Sequence, residues 1–410
     1  MRILFLTSRM PSPPVGGDRH RVYHILRTAA EAGHRIDLVT FDDGRSDPGA
    51  IEPLRRLTSS VEVVTMPKLA SWWMAARALP GRTPLQAAYY RSDEMSRRVA
   101  RAFDETSPDA VYTHLFRMAP YALAEQPRRD ARWILDLTDV ISAGIARSLP
   151  FRRGFQQWLY RVEGSRIARY ESHIAPRFDE CWVISEAEAR ALTRLAPRAS
   201  VRVVPIGFEP ERGLTTVARE ASRLLFFGNH DVLHNVDAAR FLATEVLPIV
   251  RESVPEATLD IAGKNSNVVD SLTRRPGVRV LGFVPDLERE LNRAALFVAP
   301  HRFAAGVQTK VLQALGAGIP VVTTPVVLQG LAPAPDDIVR VGSDAPSIAA
   351  EIVALLRDPA EAAALGRRGR AWACARFSWR DSLEAFERIA PAHEPAERAP
   401  RAGRVPAVIA

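Results

Sequence analysis

Lys310 lies in the stretch 297–324, FVAPHRFAAGVQTKVLQALGAGIPVVTT, whose residue types and spacing suit anion chemistry. The stretch reads as a buried strand, Leu296–Pro300, then a loop ending in Gly306 and a helix over Val307–Leu315. After Gly316 and Gly318 a second apolar strand follows, Ile319–Thr323. At the helix start the N–H groups of Val307, Gln308 and Thr309 have no partner within the helix. They face outward with the positive end of the helix dipole, and an early ammonium adds a full charge. Strand, glycine, helix N-terminus and lysine together make a phosphate-binding arrangement. Lysine is scarce here: Lys68, Lys264 and Lys310 stand among 55 basic residues, the rest being arginine. Where arginine fills nearly every surface role, a retained lysine points to chemistry. The competing reading is a βαβ unit with an ordinary exposed lysine.

Gly16 and Gly17 sit between the first strand and first helix, where the lack of Cβ atoms lets backbone N–H groups approach an anion. Asp136 and Asp139 follow an apolar strand in ILDLTDV, and His114 ends another in VYTHLF. Asp139 or His114 could orient an acceptor hydroxyl or take its proton; a capping aspartate and a satisfied core histidine are the alternatives. His20/His24 and His230/His234 have i,i+4 spacing but lack an H-E-x-x-H pattern and a third ligand, so no metal is expected.

These residues need parallel strands to carry them. Apolar residues make up 47% of the 410 and charged residues 25%, enough for two domains with separate cores. Strands are expected at Ile3–Thr7, Arg35–Phe41, Val61–Met66, Ala110–Thr113, Trp133–Leu137, Glu180–Ser185 and Val201–Pro205, with helices between them, including a basic one over Phe151–Ala175. The alternation restarts at Arg223–Gly228 and continues through helix Asn235–Ser253 and strands Thr258–Gly263, Val278–Gly282, Leu296–Pro300 and Ile338–Val341. The expected organisation is an N-terminal Rossmann-like domain, 1–206, a linker, 207–221, and a second such domain, 222–378. A final helix, 379–389, and a disordered Pro/Ala/Arg-rich tail, 390–410, complete it.

Cys181 and Cys374 are far apart and imply neither disulfide nor zinc site. The opening MRILFLTSRM reads as a strand, and no apolar run approaches the roughly 18 residues that span a bilayer. A cytoplasmic protein is expected. The net charge of +8 favours phosphorylated ligands or anionic lipid; no nucleic-acid-binding pattern accompanies it. In LASWWMAARAL, 69–79, Leu69, Trp72, Trp73, Ala76 and Leu79 share a broad helical face, with arginines close behind. Peripheral docking at the inner face of a membrane and an ordinary core-facing helix both fit that pattern.

Taken in order, several segments resemble the family 4 glycosyltransferases of GT-B fold, in the bacterial exopolysaccharide-associated branch. They are SRMPSPPVGGDRHRVYHIL, RYESHIAPRFDECWVISEAEARAL, VRVVPIGFE, LLFFGNHDVLHNVDAARFLATEVLPIV, LDIAGK, VRVLGFVPDL and GVQTKVLQALGAGIPVV. The resemblance implies two facing Rossmann-like domains with a cleft between them, a nucleotide-sugar donor on the second and a glycan or lipid-linked acceptor on the first. It implies transfer with retention, without a metal or other cofactor. It places the strand ends at Gly263 and at Gly282, Phe283 and Val284 near the sugar phosphate and base. Of two glutamates usual in the lysine block, the one that contacts ribose is matched by Gln313 and the one that contacts sugar by Ala305. The basic residues that often hold the diphosphate after the first strand of the second domain are replaced by a polar run, Asn229 to Asn235. A same-fold epimerase and a non-catalytic subunit that binds a nucleotide sugar or glycan are the competing functions.

Overall fold

Ile3–Leu6, Ala110–Tyr112 and Trp133–Leu135 are wholly buried along their length. Strands without an alternating wet face belong in parallel sheets covered on both sides. The computed structural model describes residues 1–379 except 15–16, 43, 45–47, 67, 129, 208–217, 304–306, 332–333, 336 and 378. Gly16, Ala305, Gly306, the tail and all but Trp379 of the expected final helix therefore lie outside the described residues.

The described residues of Met1–Val204 form one compact unit and those of Pro205–Asp381 another. In the first, β1 (Arg2–Thr7), β2 (Arg35–Asp42), β3 (Ser60–Thr65), β4 (Ala110–His114), β5 (Arg132–Thr138), β6 (Glu180–Val183) and β7 (Val201–Val203) pair in the order β3-β2-β1-β4-β5-β6-β7. In the second, β8 (Glu220–Phe227), β9 (Thr258–Ala262), β10 (Val278–Gly282), β11 (Ala294–Ala299), β12 (Val321–Thr323) and β13 (Arg340–Val341) pair as β10-β9-β8-β11-β12-β13. Every pairing is parallel. Both sheets are doubly wound and Rossmann-like. The winding reverses between β1 and β4 in one and between β8 and β11 in the other. Ligands of such sheets bind beyond the carboxyl ends at that switch point.

Three elements differ from expectation. β8 begins at Glu220, inside the stretch read as linker. The lysine helix begins at Thr309, two residues late, with Gln308 at its N-cap. The single helix expected over 235–253 is three pieces: Leu233–Phe241, a π-helical turn at Leu242–Val246, and Leu247–Ser253. Pro248 has no N–H to donate and its ring crowds the carbonyl a turn earlier, so the coil widens before it.

One buried ion pair ties the first unit together. From the first helix, Gly17–Glu31, the Arg21 Nε donates to Asp136 Oδ2 on β5 at 2.8 Å, with both side chains fully buried. Arg21 Nη1 donates to the Val204 carbonyl at 2.8 Å, and the Tyr112 hydroxyl on β4 donates to the same Asp136 oxygen. Asp136 is thus committed to structure. Arg21→Met should strand that carboxylate in the core and cost about 3–5 kcal/mol in urea denaturation of this unit. A loss within about 1 kcal/mol, the range of an exposed pair, would contradict the assignment.

Candidate active site

In the second unit the switch point is built from β8, β11 and the helix Thr309–Gly316. Gly228 follows β8, and a Cβ there would sit 2.8 Å from Asn235 Cγ, so only glycine lets that amide pack so close. Asn235 Nδ2 donates to the Asn229 carbonyl at 2.8 Å, which leaves Oδ1 turned to the site. Beyond β11, Thr323 Oγ1 donates to the Ala299 carbonyl at 2.9 Å and Thr324 Oγ1 to the His301 carbonyl at 2.6 Å, fixing the backbone that carries His301. Lys310 enters from the first turn of its helix and is buried.

The Lys310 Nζ donates to Asn235 Oδ1, to His301 Nε2 at 3.2 Å and to Gln308 Oε1 at 3.3 Å, and lies 5.7 Å from the Phe226 ring centroid. Its three donors meet neutral acceptors. Among the described residues no carboxylate pairs with it. Burial alone lowers its pKa to about 7. Burial and Lys310 hold His301 well below the usual histidine range and His234 down to about 3, so both rings stay neutral. His301 Nε2 also lies 3.3 Å from Asn235 Oδ1, while Nδ1 has no partner among the described residues. A buried, uncompensated cation under a helix N-terminus can receive an anion.

The remaining donor-side expectations fall around it. Val307 and Gln308 are buried and Thr309 half-buried at the helix start; the Gln308 side chain serves Lys310. Gln313 is exposed on the same helix. Gly263 ends β9 with φ +135°, and a Cβ there would fall 1.8 Å from the Gly228 carbonyl oxygen, so the two strand ends touch backbone to backbone. Phe283 and half-buried Val284 follow β10; Phe283 is 60% exposed, with the Lys264 ammonium 5.8 Å from its ring centroid. Asn229 is exposed, and its Oδ1 accepts from the Asp231 amide at 3.1 Å, closing a local turn. His230 precedes the helix that holds His234, so the pair shares no helix face. Among the described residues no group of three or more His, Cys, Asp or Glu could hold a metal ion.

In the first unit Gly17 opens the first helix and is exposed. His114 ends β4 at the switch point, buried, with Thr138 Oγ1 3.5 Å from Nε2; burial drives its pKa down to about 4. Burial alone would raise the nearby Asp18, but Arg9, His114, the Arg19 amide and Arg117 more than offset it. The residues just past His114 and at the end of β5, Leu115 and Thr138, have φ of +66° and +62°. Left-handed backbone at non-glycine residues is strained, and it persists where the surroundings over-determine it.

Asp139 is not joined to His114. Its electrostatic neighbours are Glu188, Arg147, Arg21 and Asp136, and burial followed by Glu188 raises it to about 7. Beside it Glu188 accepts from the Val140 amide at 2.7 Å and Glu171 from the Ile141 amide at 2.9 Å, so two buried carboxylates cap helix Ile141–Ser148.

Sequence reasoning missed His301 and the side-chain role of Gln308. The histidine directly after an apolar strand, as with His114, was the available signal for the first. Nothing local marks the second, since its partner lies on the same short turn.

The comparisons agree with this architecture. A family described as "Glycosyl transferase 4-like domain" matches residues 16–207, and one described as "Glycosyl transferases group 1" matches 221–358. Glycogen synthase of Mycobacterium tuberculosis is 23% identical over 433 residues, spanning 98% of this chain and 97% of the relative. Sucrose-phosphate synthase from Thermosynechococcus elongatus superposes with a TM-score of 0.71 at 17% identity, over 94% of this chain and 98% of that one. Anabaena HepE in complex with UDP and glucose gives 0.65 at 15% identity, over 95% and 99%. WaaG, a glycosyltransferase involved in lipopolysaccharide biosynthesis, gives 0.65 at 18%, over 95% and 99%. These structures share the fold, and the two family matches together take in most of the chain. The protein is a glycosyltransferase of the GT-B fold, related to the glycogen synthases and the glycosyl transferase 4-like proteins.

Proposed function

We propose that the protein, working in the cytoplasm, moves a sugar with retention of configuration onto a glycan or lipid-linked saccharide during assembly of a cell-surface polysaccharide. The donor sits on the second unit and the acceptor on the first. The observation that carries the reading is the uncompensated Lys310 ammonium at the second sheet's switch point. Charge builds on the departing diphosphate as the glycosidic bond breaks, and a preorganised cation with helix N–H groups stabilises it. Gln313, exposed on the same helix, reaches the ribose as a neutral hydrogen-bonding side chain, and the strand ends at Gly263, Phe283 and Val284 take the sugar phosphate and base. In the first unit neutral His114 accepts from the attacking hydroxyl. Release of nucleoside diphosphate in the presence of saccharide acceptor tests the reading, and NMR of the product anomer tests retention. A protein that binds nucleotide sugars without releasing diphosphate would instead be the non-catalytic subunit.

Lys310→Ala should lower turnover by one to three orders of magnitude, the range for losing one such stabiliser. The variant should keep its fold, because the acceptors it leaves behind are neutral. Near-normal kinetics would remove Lys310 from the site.

The lysine also sets a pH signature. It titrates at about 7 in the free protein, whereas bound diphosphate favours the ammonium and raises its pKa. Affinity for nucleoside diphosphate should therefore fall as pH rises above 7, and binding there should take up a proton. Calorimetry in buffers of different ionisation enthalpy reads that uptake; an equal uptake in Lys310→Met would assign it elsewhere.

Gln313→Glu should be tolerated, whereas Gln313→Leu should weaken donor binding by about 1–3 kcal/mol through an unpaired hydroxyl. Equal affinities for wild type and Gln313→Leu would place the ribose away from this residue.

A further inference from the structure

We propose that one face of the first unit docks on an anionic phospholipid bilayer through two helices, Lys68–Arg77 and the amino-terminal half of Gly154–Ile174. The proposal rests on the reading above only in that a lipid-linked acceptor would be met at that surface.

Helix 68–77 is turned opposite to a core helix. Its buried residues are the small Ser71 and Ala75, while Leu69, Trp72, Trp73 and Ala76 face outward. Trp72 and Trp73 are 67% and 69% exposed. The core-facing alternative is thereby set aside.

A second exposed aromatic cluster lies on the first turns of helix Gly154–Ile174. Phe155 and Trp158 are 73% and 57% exposed, with rings stacked at 5.6 Å. On a helix they share a face with Arg166, a few turns along. Arg166 donates to the carbonyl of Leu79, just past the first helix, and the adjacent Glu163 accepts from the Leu85 amide at 2.6 Å. The chain that leaves helix 68–77 is thereby fastened to helix 154–174 about three turns from Phe155.

Charge decides what covers it. No carboxylate occurs between Glu62 and Asp93 or between Asp139 and Glu163. The exposed Lys68, Arg77, Arg82, Arg153 and Arg161 lie in those stretches and make no ion pair among the described residues. Indole and phenyl rings beside unpaired cations, without acid, match the headgroup boundary of an anionic leaflet. No helix among the described residues is long and apolar enough to cross the membrane, so the contact is peripheral.

The test is co-sedimentation of the full chain with phosphatidylcholine vesicles, with and without phosphatidylglycerol. Binding should need the anionic lipid and fall with salt. Trp72→Ala/Trp73→Ala and Phe155→Ala/Trp158→Ala should each weaken partitioning roughly tenfold. Arg77→Glu/Arg82→Glu should weaken it by about fivefold or more per residue. Melting temperatures and turnover on a water-soluble acceptor should not change; if an aromatic variant unfolds, the exposed charge-reversal pair still decides. Absence of binding to anionic vesicles at low salt would overturn the proposal. So would self-association in ultracentrifugation that the same substitutions abolish, which would assign the face to a second copy. Vesicle binding by a protein that fails to release nucleoside diphosphate would strike the transferase reading and leave this one standing.

Discussion

A buried ammonium surrounded by neutral acceptors organises the second unit. Asn235, His301 and Gln308 come from three separate elements, and each aims a lone pair at the same Nζ. Hydrogen bonds satisfy the donors but leave the net charge in place, and burial then lowers the lysine's pKa to about 7. A carboxylate in the place of any one acceptor would restore the charge balance and the ordinary pKa, and would weaken the site's pull on a phosphate. Gly228 matters for the same reason, since its missing side chain admits Asn235. The site's chemistry is therefore a property of what is absent around the lysine as much as of the lysine itself.

The first unit solves burial of charge the other way. Arg21 and Asp136 cancel inside the core, with Tyr112 and the Val204 carbonyl taking up further hydrogen-bonding capacity. The pair welds the first helix to β5 and to the chain leaving β7, and it lies under the switch point where His114 emerges. Rigidity there sustains the positive φ at Leu115 and Thr138. A strained turn on a fixed platform holds His114 in place more firmly than a relaxed loop would.

The central strands of both sheets were legible in the sequence because buried parallel strands are continuous apolar runs rather than an alternating pattern. Lys310 was legible for a compositional reason, its rarity among arginines. Its partners were harder to read. Asn235 lies 75 positions away and becomes a neighbour only once β8 and β11 pair. His301 is nine positions away, but the turn after β11 that presents it depends on hydroxyls from Thr323 and Thr324. One helix is expected through Pro248 because helical periodicity runs through it, the π-turn keeping the buried face on either side. The aromatic helix exposed a different limit. Periodicity reports that one face is apolar, but not whether that face turns inward.

Lysine and arginine differ in what they permit at such a site. A guanidinium stays charged at any accessible pH and presents its donors in a flat fork, so it needs an anion or a large polar cage even before substrate arrives. The compact ammonium fits a pocket of three acceptors and can lose its proton there. An incoming diphosphate would meet a group whose proton affinity rises as the phosphate approaches, drawing the charge in when it is needed. In a chain that uses arginine almost everywhere else, the proposed role at the diphosphate would account for a lysine at this position.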